Sequence, residues 1–160
     1  MTLTRRRFGI LSAAAATWAL PRQAHAATVH DVQMLNQHPD DKTELMVFYP
    51  DIVRAEPGDV IRFLSVDNNH NSEAHKDMLP EGVERWKSKI GKDFELTVEA
   101  EGAYGFFCTP HKSYGMVGLL LVGNVTANYD TLKGVRQRGK SKGRFEDVFA
   151  RADAMLSAEA

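Results

Sequence analysis

Two apolar, β-prone runs, Ala103 to Cys108 and Met116 to Val122, are separated by only seven residues, TPHKSYG. So short a link predicts two adjacent strands with one connection at one end of a sheet. It also confines Cys108, His111 and Met116, a thiol, an imidazole and a thioether, to a single turn of chain. Cys108 is the only cysteine among 160 residues, so it has no partner for an internal disulfide.

The rest of the chain fits the same strand pattern. Thr28 to Leu35, Leu45 to Phe48 and Asp51 to Ala55 are short β-prone runs, and Glu56-Pro57-Gly58-Asp59 is a turn signal. From Val60 to Val66 apolar side chains fall on both alternating faces, which predicts a strand in the middle of a sandwich. Phe94, Leu96 and Val98 alternate with Glu95, Thr97 and Glu99, the pattern of a half-buried strand. A long irregular stretch from Asp67 to Asp93 is expected to carry one short helix near Val83 to Lys89, and loops of that length are usually functional.

The period then changes. Phe145, Val148, Phe149, Ala152 and Met155 recur at helical spacing, and Asn128 to Gln137 is read as a second helix. The basic run Arg136, Arg138, Lys140, Lys142 and Arg144, with Gly139 and Gly143, is read as an exposed connection between the two. About seven or eight strands followed by two helices predict a mainly β chain, a sandwich with a helical appendage at about 127–156.

The N-terminus reads as an export signal. Arg5, Arg6 and Arg7 precede a short alanine-rich apolar run from Gly9 to Leu20, and Ala24-His25-Ala26 supplies the small residues of a cleavage site. Thr4 to Phe8 resembles a twin-arginine signal, a route favoured here over the general secretory one. The expected organisation is a cleaved segment 1–26 and one domain over 27–160. The whole chain has 20 basic and 21 acidic residues. Losing Arg5, Arg6, Arg7 and Arg22 leaves 16 against 21, a net charge of −5. That balance argues against nucleic-acid binding, and no run of 18 apolar residues suggests a membrane span. A lone thiol in an exported protein is reactive, linked between molecules, or held by something.

A metal would hold it. The loop after Val66, Asp-Asn-Asn-His70-Asn71, leaves the end of a central strand and brings a second imidazole within reach of the Cys108 loop. Two histidines, one thiolate and a weak methionine form the donor set of a blue-copper electron-transfer site. Other readings stand beside it. Cys108 and His111 alone could be a buried cysteine with a chance neighbour. Structural zinc wants four strong ligands, and methionine is a poor one for it. A Cys-His nucleophile would need an orienting group, and no oxyanion-hole motif is evident. His30, His38 and His75 read as surface or hydrogen-bonding residues, and Met34, Met46, Met78 and Met155 as packing.

The residues also carry a resemblance. VQMLN (Val32 to Asn36), MVFYP (Met46 to Pro50), PGD (Pro57 to Asp59), KDMLPEG (Lys76 to Gly82), WKSKI (Trp86 to Ile90), LTV (Leu96 to Val98), GAY (Gly102 to Tyr104), CTPH (Cys108 to His111) and ANYD (Ala127 to Asp130) resemble the cupredoxins, in their pseudoazurin branch. The resemblance implies an eight-stranded Greek-key sandwich with two C-terminal helices. It implies one type 1 copper, cycling between Cu(I) and Cu(II), on His70, Cys108, His111 and Met116. It further implies a periplasmic shuttle, not an enzyme, that accepts single electrons from a donor such as a cytochrome. The electrons would pass to a denitrification reductase, notably nitrite reductase, through brief docking of a monomer. Asn71 matches an asparagine that ties the two ligand loops together. Pro110 matches a proline whose missing N–H leaves the Cys108 sulfur one hydrogen bond short.

This sequence departs from the branch around the second histidine. Lys87 is kept, but Gln37, Asn68 and Phe107 stand where lysine is frequent, with Lys76, Lys89 and Lys92 remaining and Lys112 added. Tyr114 replaces a common methionine and is expected at the rim of an apolar docking patch with Leu45, Met46 and Pro110. The rivals to an electron carrier are a periplasmic copper-storage or delivery protein and a cysteine-dependent hydrolase or oxidoreductase.

Overall fold

The computed structural model describes residues 26–159. The expected export signal lies outside them except for Ala26, its last residue. Eight strands form two four-stranded sheets. The first has the order β2 (Leu45–Tyr49), β1 (Val29–Gln37), β4 (Val60–Leu64), β6 (Phe94–Thr97). The second has the order β3 (Ile52–Ala55), β8 (Val117–Val122), β7 (Gly102–Phe107), β5 (Glu73–Ala74). β1 runs parallel to β4 and β3 parallel to β8, and the other pairs are antiparallel. The helices are α1 (Tyr129–Lys133) and α2 (Lys140–Glu159).

The sandwich core lies between the sheets. Phe106 on β7 meets Phe48 and Phe63 from the facing sheet edge-on, at ring-centroid distances of 4.8 and 5.2 Å. Met34, Trp86, Tyr104, Leu120, Cys108 and Met116 belong to the same buried cluster. A second apolar layer lies on the outer face of the β3–β8–β7–β5 sheet, where Leu119 and Leu121 share a cluster with Leu132, Phe145, Val148 and Phe149 of the helices. Every residue of β8 is therefore buried. A strand covered on both faces needs a continuous apolar run rather than alternation. Each fully buried large side chain contributes about 1.5–3 kcal/mol. Ion pairs from Arg144 to Glu44 and from Arg151 to Asp51 fasten α2 to the chain around β2 and β3.

The structure departs from the sequence reading at four places. β4 is central in its sheet, but Ile61 and Phe63 alone are fully buried, while Val60, Arg62 and Leu64 are half-covered and Val66 is exposed. No helix forms at 83–89. The Trp86 carbonyl accepts from the Ala74 N–H and the Ser88 N–H donates to the Ser72 carbonyl, so this segment is drawn out alongside β5. α1 is five residues long and stops at Gly134. Lys140, Lys142 and Arg144 are in the first turns of α2, not in a connection.

Gly118 on β8 pairs with Phe106 on β7. A Cβ there would stand 2.6 Å from the Asp51 carbonyl oxygen and would collide with the Phe106 ring. Neither neighbour is the free end of a flexible chain. Gly118→Ala should cost about 1–3 kcal/mol or more, read as a lower urea midpoint. An unchanged midpoint would show that β7 and β8 separate more easily than their packing implies.

Candidate metal centre

The register of β7 against β8 ends at Phe107 opposite Val117, so the link between them is CTPHKSYGM, Cys108 to Met116. Backbone bonds lace it shut. The Cys108 N–H donates to the Met116 carbonyl at 3.0 Å, the His111 N–H to the Cys108 carbonyl at 3.2 Å, and the Met116 N–H to the His111 carbonyl at 3.2 Å. Lys112–Tyr114 form one 3-10 turn, closed by Gly115 at φ 94°, a left-handed conformation that glycine adopts without strain. His70 arrives from the other sheet, on the loop between β4 and β5.

Three side chains converge. The Cys108 Sγ lies 3.8 Å from His70 Nδ1 and 3.5 Å from His111 Nδ1, and the two Nδ1 atoms are 3.0 Å apart. Among the described residues this is the one group of three or more His, Cys or acidic side chains whose donor atoms lie within 4.8 Å of one another. A point inside a triangle of those sides and equidistant from its corners is about 2.0 Å from each, the range of metal bonds to imidazole and only slightly short of thiolate bonds. His70 and Cys108 are fully buried, and His111 is partly exposed. Met116 is fully buried in the same cluster as Cys108 and is joined to it by the loop's backbone bond.

The surroundings prepare the donors. Burial lowers the pKa of His70, aided by the nearby His111, and burial alone lowers that of His111, so both rings stay neutral. Burial pushes the Cys108 thiol up, against the opposing pull of the Asn71 and His111 N–H groups. Neutral imidazoles and a soft sulfur suit copper, and the buried methionine suits it better than zinc.

Asn36 Oδ1 is 3.0 Å from His70 Nε2. That bond places the ring proton on Nε2 and leaves the Nδ1 lone pair facing Cys108 and His111. Asn71 does what its place beside His70 suggests. Its Oδ1 accepts from the Thr109 N–H at 2.8 Å, and its Nδ2 donates to Thr109 Oγ1 at 3.0 Å and to the Ser88 carbonyl at 3.2 Å. Thr109 Oγ1 in turn donates to Glu73 at 2.6 Å, and Glu73 pairs with Arg85 and Lys87. Asn36, Thr109 and Glu73 were not singled out from the sequence. Asn36 directly follows the β-prone run Thr28 to Leu35, and the structure extends that strand through it to Gln37, a place where asparagine is disfavoured without a specific use.

Pro110 and Leu45 are exposed, Met46 is half-covered, and Tyr114, 58% exposed, presents its ring edge-on to His111 at 6.1 Å. Lys112 lies over the Phe107 ring at 4.2 Å. Lys87 is paired with Glu73 at 2.9 Å, so its charge is partly spent inside the protein. Of the other histidines, His30 bonds to Asp59 and His38 accepts the Asp40 and Asp41 N–H groups. His75 is buried away from the donor triangle.

Comparison with known proteins points the same way. The sequence profile of copper binding proteins of the plastocyanin/azurin family matches residues 33–123. A curated pseudoazurin from Paracoccus pantotrophus is 46% identical over 144 residues, covering 90% of this chain and 97% of that protein. One from Methylorubrum extorquens is 40% identical over 119 residues, 74% of this chain and 78% of that protein. The crystal structure of pseudoazurin from Methylobacterium extorquens AM1 superposes with a TM-score of 0.72 at 38% identity, covering 78% of this chain and 98% of that one. Native pseudoazurin from Hyphomicrobium denitrificans gives a TM-score of 0.72 at 35% identity, with the same coverage.

Removing the group that orients a ligand typically weakens metal binding about 10–100-fold. Asn36→Ala should do so by freeing the His70 ring, measured as faster loss of copper to a chelator. Asn36→Asp, which keeps an acceptor for Nε2–H, should restore retention. Equal retention in all three proteins would show that the Asn36 bond does not orient the ring.

Proposed function

The chain belongs to the plastocyanin/azurin family of copper-binding proteins, among the pseudoazurins, as a blue-copper electron carrier, and we propose that it works as a soluble periplasmic shuttle. In this reading residues 1–26 are removed on export, and recovered protein beginning at Ala27 is the check. His70, Cys108, His111 and Met116 hold one type 1 copper. Copper so held supplies one-electron exchange between its two oxidation states. The protein acts as a carrier and not as an enzyme, and a denitrification reductase such as nitrite reductase receives the electron.

The observation that carries the reading is the donor triangle itself. Its atoms stand at bonding separation with two of the three side chains fully buried. Asn36 and Asn71 hold both loops in place beforehand. A centre whose ligands are fixed by their own hydrogen bonds needs little rearrangement when its charge changes by one. His111 is the half-exposed ligand, and Leu45 and Tyr114, 53% and 58% exposed, give an apolar surface near it. That surface suits brief docking, with the electron leaving through the His111 ring. A storage or delivery protein would need donors that let copper go, and the buried, doubly tied His70 and Cys108 disfavour it.

The copper-loaded protein should absorb visible light intensely and give the electron-paramagnetic-resonance spectrum of a type 1 site. A colourless protein that keeps only Cu(I) would favour storage. Met116→Gln should keep copper but lower the reduction potential, because a harder donor favours Cu(II). An unchanged potential would remove Met116 from the ligand set. Electron-transfer rates to nitrite reductase that fall steeply with added salt are expected if surface lysines steer docking. Salt-independent rates would point to apolar docking alone.

A further inference from the structure

A cavity of about 440 Å³ opens where the metal loop meets the segment between α1 and α2. His75, Lys112, Ser113, Arg136, Gln137 and Arg138 line it, and no acidic residue does. Lys112 and Ser113 directly follow the ligand His111. Among the described residues, Arg136 and Arg138 have no side-chain hydrogen bond or ion pair, and Lys112 has only the Phe107 ring under its ammonium. Three cations without a carboxylate therefore border one hollow, although the described chain is acidic overall. Glu73 and Asp77 are close enough to act on Lys112, yet Glu73 is occupied by Thr109, Arg85 and Lys87, and Asp77 lies 3.9 Å from Lys76.

His75 adds an independent sign. It is 8% exposed and lines the cavity, and its Nδ1 faces the Asp77 N–H at 3.4 Å. That arrangement leaves the ring proton on Nε2, which has no partner among the described residues. Burial, and then the charge of Lys112, push its pKa down to about 4, so at neutral pH the ring is an uncharged donor. Nε2 is not sealed from solvent, so its N–H can donate to a ligand of opposite sign held by the three cations.

We propose that this cavity binds a small inorganic oxyanion of the sulfate or phosphate type, beside the metal loop, and that its occupancy favours the oxidised centre. A negative charge next to a centre that gains positive charge on oxidation stabilises the oxidised state. By linkage the oxidised protein then binds the anion more tightly than the reduced protein. The binding stands on the cavity alone, and the effect on potential rests on the copper reading given above.

Nuclear magnetic resonance of the reduced, copper-loaded full chain, titrated with sodium sulfate and separately with phosphate, tests it. Sodium chloride at equal ionic strength is the control. Expected are saturable shifts at His75, Lys112 and Ser113 with an oxyanion and not with chloride. Affinity should be weakened at least about ten-fold in R136Q/R138Q, the loss of one charge-assisted bond or more. H75F should weaken it too while leaving the visible spectrum unchanged. Shifts that follow ionic strength alone, or persist equally in R136Q/R138Q, would overturn the site. Where binding is seen, saturating sulfate should lower the reduction potential of the parent protein and not of R136Q/R138Q. An unmoved potential would overturn the coupling. A colourless protein would overturn the copper reading while leaving anion binding measurable.

Discussion

The side chain of Asn71 is the joint on which the site depends. It bonds twice to Thr109, across the gap between the loop that carries His70 and the loop that carries Cys108 and His111. Each loop has its own backbone bonds, but these fix it only to itself and to its own sheet. The Thr109–Glu73 bond and the pairing of β5 with β7 join the same segments further out, and the Asn71 bridge is the tie next to the ligand His70. Asn71 is fully buried and Thr109 is exposed, so the bridge is shielded from competing water on its Asn71 side. The bridge continues through Thr109 to Glu73 and out to Lys87, joining a buried ligand loop to a surface charge.

The layers beneath make that joint rigid. β8 is packed on both faces, by the sandwich core on one and by the helices on the other. Met116 immediately precedes it, and Cys108 immediately follows β7. The sulfur donors therefore stand at the ends of two long, almost wholly buried strands, while His111 lies on the partly exposed turn between them. A donor set with a dry, stiff side and a wet edge suits a centre that exchanges electrons but holds its ligands.

Several features were legible because they depend on local chemistry. Turn residues such as Pro57-Gly58 and the alternation of Phe94, Glu95, Leu96 and Thr97 announce strands and their ends. The spacing of Cys108, His111 and Met116 placed three donors on one link, and the His70-Asn71 pair stood out in a polar loop. The misread segments share a cause. Val83 to Lys89 lacks a β-like pattern, yet Trp86 and Ser88 are drawn out because β5 offers them backbone partners. The basic stretch from Lys140 to Arg144 looked like a solvated connection because it is polar, yet its residues open α2, and Arg144 reaches Glu44. At Val60 to Leu64 the alternation was real, but one face meets the core and the other is only half-covered.

The sequence by itself determined the donor types, their spacing, the strand character of most of the chain and the two helical segments, because these follow from side-chain chemistry and short-range periodicity. Tertiary structure alone decided which atoms meet. It brought His70 to Cys108 across 38 positions, set Asn36 behind His70 across 34, and left Arg136 and Arg138 without acidic partners beside His75. Contacts of that separation are chosen by the order in which strands pair and sheets stack, and no local pattern in a chain encodes that order.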